Sequence, residues 1–288
     1  MNDRRAQIRR LAPEHAVRGL CRLLGVTRSG HYAWRARQAG ARRREDAQLG
    51  QEVLDAFQAS RRTYGRVRLT RELKNRGHAC GERRVARHMR EHRLQARPAR
   101  RFRVATTDSR HDGPIAPNRL AGAAPPVRPD TVWATDFTFI PTGEGWLYLS
   151  VILDLHSRRV VGWAFGQRLD TALALDALHT ALRVRRPAAG LVHHSDRGVQ
   201  YASAAYRAAL ETHGLVASMS RPANPYDNAA MESFYSTLKT EAVPAAGFAT
   251  RAQARAVLFD FIETFYNRRR LHSALGFQSP VDFELQLN

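Results

Sequence analysis

A proline-rich segment divides this 288-residue sequence into two parts with different patterns. Residues 97–130 contain six prolines and little hydrophobic periodicity, which is typical of a linker. Apolar residues recur at helical spacing before this segment, whereas runs rich in β-branched and aromatic residues follow it. The sequence therefore predicts an all-α region at residues 1–96, a basic linker at residues 97–130 and an α/β domain at residues 131–288.

Positive charge is concentrated before the second domain. The chain has a net charge of +20, and residues 1–115 hold 29 Lys and Arg against 11 Asp and Glu. Residues 116–288 hold 17 basic and 15 acidic residues. A general arginine bias explains why 44 of the 46 basic residues are Arg, but it does not explain the missing acids of the first part. This asymmetry indicates a polyanionic partner, and we expect double-stranded DNA.

Two helix-turn-helix patterns are predicted before the linker. The first spans residues 14–38, where Gly25 ends one helix and Thr27 caps the next. The second spans residues 64–95, and residues 42–58 are predicted to form a connecting helix.

The last helix of the second pattern combines an apolar edge with an arginine face. Val85 and Met89 belong to the apolar edge. Such a helix suits the major groove of DNA, although a solvated charged face has the same pattern. The residues that we expect to bind DNA here are Arg83, Arg84, Arg87 and Arg90.

The second domain has the element order of an RNase H-like fold. Three strand-like runs follow one another closely and predict a meander. Later elements alternate between helix and strand. The predicted strands are 131–141, 146–157, 158–166, 190–196 and 215–220, and the predicted helices are 171–185, 203–213, 228–242 and 251–269.

Several classes of protein are disfavoured by the sequence. Cys21 and Cys80 lie far apart, so we expect neither a disulfide framework nor a zinc site. No apolar run reaches about 18 residues, and the N-terminus has no apolar signal core. We therefore expect a cytoplasmic protein without a membrane partner.

Three carboxylates of the second domain are candidates for a metal site. Asp136 lies within a strand in "WATDFTFI", Asp196 ends the strand "GLVHHSD", and Glu232 lies in the helix "DNAAMESFYSTLKTE". A charge in a buried strand is costly unless it is paired or bound to a metal. Phosphoryl transfer on DNA requires neutralised charge and aligned oxygens, which two Mg²⁺ ions held by carboxylates provide.

Other candidates near this site are interpreted as structural. Asp154 ends the second strand before a turn, where Asp commonly makes local hydrogen bonds. His193 and His194 are potential metal ligands, but a histidine beside a buried strand is more often a hydrogen-bonded neighbour.

Several sequence blocks resemble the integrase-like subunit, called OrfB, of the IS-three (IS3) family of bacterial insertion-sequence transposases. In order, the blocks are "CRLLGVTRSGHYAW", "TYGRVRLTRELKNRG", "WATDFTFI", "HHSDRGVQYAS", "SMSRPANPYDNAAMESFYSTLKTE" and "FYNRRRLHSALGFQSPVDF". Thirty-five residues separate Asp196 from Glu232, as in the family signature. The family belongs to the DDE superfamily, which includes the retroviral integrases.

The resemblance implies a function for the chain. Asp136, Asp196 and Glu232 would be the catalytic, metal-binding triad, with Mg²⁺ as the cofactor and Mn²⁺ able to replace it. The reactions would be DNA cleavage at the ends of the element and strand transfer by a 3′-hydroxyl. The implied partners are element ends and target DNA, further copies of the chain on that DNA, and the product of an upstream reading frame. The implied location is the bacterial nucleoid.

The resemblance also assigns residues outside the triad. It places a basic residue at Lys239, seven residues after Glu232, in contact with DNA near the cleaved end. Arg270 and His272 match a distal block, where they either bind DNA or brace the fold. Ala223 stands where the family usually has glycine. The segment that leads into the glutamate helix is matched by Asn224, Tyr226, Asp227 and Asn228.

Two alternative functions remain open from the sequence. One is a catalytically silent DNA-binding regulator derived from a transposase, although the presence of all three carboxylates argues against decay. The other is an RNase H-like nuclease acting on branched DNA or hybrids. The tandem basic helices favour sequence-directed binding to duplex DNA instead.

Overall fold

The computed structural model describes residues 2–97, 113–221 and 228–287. The chain forms two compact units, residues 1–95 and 96–288. Two parts of the sequence analysis lie outside the described residues. They are most of the first half of the predicted linker, at 98–112, and the segment 222–227 with Ala223, Asn224, Tyr226 and Asp227.

The first unit is entirely helical, and two of its predicted boundaries are confirmed. Gly25, with φ +63°, follows the second helix in a left-handed conformation that suits glycine. The Thr27 hydroxyl accepts a hydrogen bond from the Gly30 N–H and caps the third helix. The helices are α1 Asn2–Leu11, α2 Val17–Leu23, α3 Arg28–Ala59, α4 Arg66–Asn75 and α5 Glu82–Glu91.

Helix α3 is longer than the sequence analysis predicted. The connecting helix expected at residues 42–58 is not separate, because Arg28–Ala59 is one helix of 32 residues. Gly40 lies within it, but a single glycine costs a helix only about 1 kcal/mol relative to alanine, which is too little to end it. None of the helices among the described residues has the length and apolar character that a bilayer crossing requires.

The second unit is built on a five-stranded mixed sheet in the order β3-β2-β1-β4-β5. The first three strands form the predicted antiparallel meander, and β4 and β5 extend the sheet in parallel from β1. This topology confirms the RNase H-like fold. The strands are β1 Val132–Thr142, β2 Gly145–Asp154, β3 Val160–Gly166, β4 Val192–Ser195 and β5 Val216–Met219.

Helices cover the sheet, and the predicted helix at residues 171–185 is confirmed. Its N-cap Asp170 accepts a hydrogen bond from the Leu173 N–H. At Gly162 the helix lies so close to β3 that an added Cβ would be 2.4 Å from the Ala177 carbonyl oxygen. The helices are α6 Thr171–Arg185, α7 Val199–Ala202, α8 Ala204–Thr212, α9 Ala229–Glu241, α10 Arg251–Asp260, continuing as a π-helical turn at Phe261–Tyr266, and α11 Pro280–Leu285.

Candidate active site

Parallel pairing of β1 and β4 brings two of the candidate carboxylates together. The register pairs Ala134 on β1 with His194 on β4. Asp136 lies two residues after Ala134 on β1, and Asp196 lies two residues after His194, just beyond the end of β4. Because neighbouring strands lie about 4.8 Å apart, the two carboxylates share one edge of the sheet.

Hydrogen bonds hold both carboxylate oxygens and the main-chain carbonyl of Asp136. The Phe137 N–H donates to Oδ1 at 2.7 Å, and the Asn228 amide nitrogen donates to Oδ2 at 3.2 Å. The Tyr235 hydroxyl donates to the Asp136 main-chain carbonyl. Strand β1 and helix α9 therefore fix both the position and the orientation of this carboxylate.

The electrostatic environment of Asp136 disfavours its charged form. Burial, the negative charge of Asp196 and that of Glu232 together raise its pKa to about 8. The Phe137 N–H and the positive charge of Lys239 act in the opposite direction. Asp196 and Glu232 are thus close enough to Asp136 for their charges to act on it, and among the described residues the positive charge of Lys239 offsets only part of that effect.

The other two carboxylates differ in their surroundings. Asp196 is half-buried and accepts a hydrogen bond from the Gly198 N–H at 2.9 Å, whereas Glu232 is exposed in the first turn of α9. Within residues 2–97, 113–221 and 228–287, no three Asp, Glu, His or Cys side chains already form a group that could hold a metal ion. The donor set nonetheless suits Mg²⁺ or Mn²⁺, because it consists of carboxylate oxygens around uncompensated negative charge.

Lys239 lies on the same helix as Glu232, two turns further along. It is half-buried, and burial lowers its pKa while the charge of Asp136 raises it. The structure therefore places this ammonium group in the field of the carboxylates. Seven residues of helix correspond to nearly two full turns, which explains why both side chains lie on one face.

Two tyrosines near the carboxylates were not singled out from the sequence. The Tyr201 ring stacks on Phe137 at 5.1 Å, and its hydroxyl lies 3.3 Å from that of Thr135. The pKa of Tyr201 and of Tyr235 is raised by burial and by the charges of the two aspartates. The position of Tyr235, three residues after Glu232 and therefore on the same helical face, was the available signal.

Asp154 and the two histidines have structural partners, in agreement with the interpretation from sequence. Asp154 is fully buried and accepts hydrogen bonds from the main chain of Asp130, His156 and Ser157. Of the two imidazoles, His193 pairs with the Tyr206 hydroxyl, and His194 pairs with the hydroxyls of Ser218 and Ser220.

Arg270 and His272 lie in different environments. Arg270 is 4% exposed and makes two hydrogen bonds, of 2.7 and 2.8 Å, to the buried Glu241 carboxylate. Because a buried and doubly bonded guanidinium is not accessible to phosphate, this environment favours the bracing alternative for Arg270. The half-buried His272 ring packs edge-on against Tyr266, with ring centroids 4.8 Å apart, and its role stays a prediction.

The four arginines of α5 fall into two groups. Arg83, Arg87 and Arg90 are exposed and Arg84 is half-buried. Arg84 and Arg87 both hydrogen-bond the Asp46 carboxylate on α3, at 2.8 and 2.5 Å. The pKa of Asp46 is lowered to about 2, chiefly by the hydrogen bond from Arg84. Half of the predicted DNA-binding face therefore helps to join α5 to α3.

The chain matches two protein families in sequence order. Residues 43–102 match a family described as an HTH-like domain. Residues 126–225 and 213–280 match two families that are both described as an integrase core domain.

Curated relatives cover nearly the whole chain. An insertion element IS600 protein of 31 kDa from Shigella sonnei is 46% identical over 264 residues, which is 92% of this chain and 97% of that protein. The transposase InsF for insertion sequence IS3A from Escherichia coli K12 is 40% identical over 273 residues, which is 94% of each chain.

Solved structures with a similar fold include retroviral integrases. The catalytic core domain of BIV integrase is 17% identical with a TM-score of 0.40, covering 55% of this chain and 95% of that one. A chain of the simian T-cell lymphotropic virus intasome is 15% identical with a TM-score of 0.46, covering 77% and 70%.

The family follows from the curated relatives and the matched domains, because both extend over most of the sequence. An integrase core implies dependence on a divalent cation, and an HTH-like domain joined to that core implies DNA binding. The chain belongs to the IS3 family of insertion-sequence transposases and is an enzyme of the DDE type.

Proposed function

We propose that this chain binds the ends of a bacterial insertion sequence and catalyses Mg²⁺-dependent DNA cleavage and strand transfer at those ends. The observation that supports the proposal is the proximity of Asp136 to Asp196, Glu232 and Lys239, whose charges all act on the Asp136 carboxylate beside the end of β4.

In this proposal the acids hold the cation and the lysine holds DNA. Asp136 and Asp196 provide a fixed pair of ligands, and Glu232 completes the set from the first turn of α9. These residues would hold Mg²⁺, or Mn²⁺ in its place, and such a cation would supply charge neutralisation at the phosphate and activation of the attacking hydroxyl. Lys239 donates from its ammonium group to a phosphate oxygen next to the cleaved bond.

The two parts of the chain divide the work in this proposal. Residues 1–96 bind duplex DNA, residues 97–130 link the two parts, and residues 131–288 carry out the chemistry. Arg83 and Arg90 contact phosphates or bases, because both are exposed on α5.

The proposed assembly contains more than one chain. Cutting two ends of one element together requires two active sites in one complex, so we propose a homo-oligomer formed on DNA. The product of an upstream reading frame is a further proposed partner.

The test is a cleavage and joining assay on labelled DNA. Purified chain is incubated with a duplex that carries an element end, with a scrambled duplex of equal length, with a branched DNA and with an RNA–DNA hybrid. Each substrate is tested with Mg²⁺, with Mn²⁺ and with chelator. We expect metal-dependent cleavage and joining of the element end alone.

Two other results would each support a different function. Tight binding to the element end without cleavage in either metal contradicts the proposal and indicates a silent regulator. Preferred cleavage of the branched DNA or the hybrid contradicts it in favour of a nuclease.

A further inference from the structure

The residue that precedes helix α9 does not cap it. Asn228 occupies the N-cap position, where an asparagine normally accepts a hydrogen bond from the first turn, yet its side chain makes no such bond. By contrast, the N-cap side chains of helices α6, α8 and α10, namely Asp170, Ser203 and Thr250, all accept their capping hydrogen bonds. The Asn228 amide therefore has another use.

The Asn228 amide contacts the carboxylate cluster through its nitrogen. Its nitrogen donates to Asp136 Oδ2 at 3.2 Å, while its oxygen is buried and has no hydrogen-bond partner among the described residues. With Asp136 ionised, as a metal ligand must be, a reversed amide would set its oxygen against a carboxylate oxygen, so this orientation is the one that suits the metal-bound state. Buried acceptors without a donor are rare in folded proteins, and such an oxygen requires an explanation.

A cation at the carboxylate cluster supplies that explanation. Amide oxygens, like carboxylate oxygens, are hard donors that suit Mg²⁺ and Mn²⁺. The oxygen is buried beside one proposed ligand, Asp136, and α9 carries a second, Glu232, one turn after Asn228. A neutral donor adds an oxygen to the site without increasing the repulsion that already raises the pKa of Asp136.

We propose that Asn228 is part of the metal site. Its amide nitrogen orients the Asp136 carboxylate, and its amide oxygen is a neutral donor to the cation. The inference rests on the proposed function, because the cation is the one that the three carboxylates hold for DNA cleavage. It predicts that Asn228 contributes to metal affinity in the absence of DNA and of any reaction.

The experiment measures Mn²⁺ binding to the full chain without DNA, by electron paramagnetic resonance of the free ion. Asn228→Ser removes the amide but keeps a side chain that caps helices equally well, so it separates metal binding from helix stability. Asn228→Asp keeps an oxygen at the position of the amide oxygen. Asp196→Asn tests the carboxylate site itself. Thermal unfolding in chelator reports on the fold of each variant.

We expect Asn228→Ser to weaken Mn²⁺ binding about 10- to 100-fold, the usual effect of losing a group that orients a metal ligand. Its unfolding midpoint in chelator should equal that of the wild type. Asn228→Asp should keep Mn²⁺ affinity close to the wild-type value, and its unfolding midpoint in chelator should fall because a fourth negative charge joins the cluster.

The controls separate failure of this inference from failure of the proposed function. If Asp196→Asn loses Mn²⁺ binding and Asn228→Ser does not, the inference is wrong and the function stands. If Asn228→Asp binds as weakly as Asn228→Ser, the oxygen is not a donor and the inference is also wrong. If Asp196→Asn binds Mn²⁺ like the wild type, the metal site of the proposed function is wrong.

Discussion

At the residue scale, the unusual feature of this protein is a cluster of acids with little local compensation. Strand β1, the Asn228 amide and the Tyr235 hydroxyl position Asp136. The negative charges of Asp196 and Glu232 raise its pKa. Lys239 offsets only part of this repulsion. Stability alone does not explain such a cluster, because protons or a cation must balance it, whereas a phosphoryl-transfer site requires it.

Lys239 provides a prediction at this scale. Lys239→Ala should reduce single-turnover cleavage and joining of a pre-cut end much more than it reduces DNA affinity. Lys239→Arg should be only partly active, because a broad guanidinium replaces a compact ammonium in a half-buried position. Cleavage is compared with filter binding on the same DNA.

The chain has a matched control for this experiment. Lys74, on α4, is its only other lysine and is exposed. Lys74→Ala should leave the chemical step unchanged. If both Lys239 variants cleave and join like the wild type, then Lys239 is an ordinary helix residue.

His193 provides a prediction about pH. Burial, followed by the charge of His194, lowers the pKa of His193 to about 3, so the folded chain keeps this imidazole neutral. The unfolded chain takes up a proton near its ordinary pKa of about 6.5. Above that pH the titration of His193 therefore costs the fold nothing. As pH falls from about 6 to about 4, protonation of the unfolded chain lowers the free energy of unfolding by about 1.4 kcal/mol per pH unit.

The measurement is urea unfolding across this pH range, followed by tryptophan fluorescence. Three of the four tryptophans lie in the second unit, which contains His193. His193→Gln keeps a partner for the Tyr206 hydroxyl but cannot titrate. The free energy of unfolding should fall less steeply in the variant, and equal slopes would show that His193 is not the cause.

At the element scale, patterns within one segment were predictable and pairings between segments were not. The sequence predicted the helix Thr171–Arg185 with its observed bounds, and local chemistry identified Thr27 as a cap. Nothing local showed that Arg270 pairs with Glu241, 29 residues earlier, or that Asp46 holds two arginines of α5. The sequence therefore located local features such as caps, whereas the partners of these arginines required the fold.

The Arg270–Glu241 pair can be tested as a structural brace. Arg270→Ala should lower the free energy of unfolding by about 3–5 kcal/mol, because it removes two hydrogen bonds and the compensating charge from a buried carboxylate. Replacing the pair together, as Arg270→Met with Glu241→Leu, should recover much of that loss. Both are measured by urea unfolding.

A matched arginine lies close by for comparison. Arg268 is exposed, so Arg268→Ala should have little effect on stability. When DNA affinity is corrected for the fraction of folded protein, Arg270→Ala should bind DNA like the wild type. A stable Arg270→Ala variant with reduced DNA affinity would restore the original expectation that Arg270 contacts DNA.

At the scale of the whole molecule, charge and chemistry lie in different parts of the chain. Most of the excess positive charge precedes residue 116, while the carboxylate cluster and the mixed sheet follow it. The counts of charged residues alone predicted the position of the positive charge. The fold of the second part was predictable because its element order is distinctive, and the spatial meeting of Asp136 with Asp196 required the register of β1 and β4.

The separation of charge predicts how fragments behave. Residues 1–115 should bind duplex DNA, and the logarithm of affinity should fall with the logarithm of salt concentration by about 0.9 for each phosphate contact. Residues 116–288 should bind the same duplex much more weakly. Fluorescence anisotropy at several salt concentrations measures both, and salt-independent binding or binding confined to 116–288 would contradict the division.

The central claim, that three carboxylates form a catalytic metal site, is tested most directly by comparing cleavage with binding in Asp136→Asn, Asp196→Asn and Glu232→Gln. Asp176→Asn, an exposed position on α6, is the matched control. Each triad variant should lose Mg²⁺-dependent cleavage and joining of a labelled element end while its affinity for that DNA stays near the wild-type value, and the control should keep both. Wild-type cleavage rates in any two of the triad variants would contradict the claim.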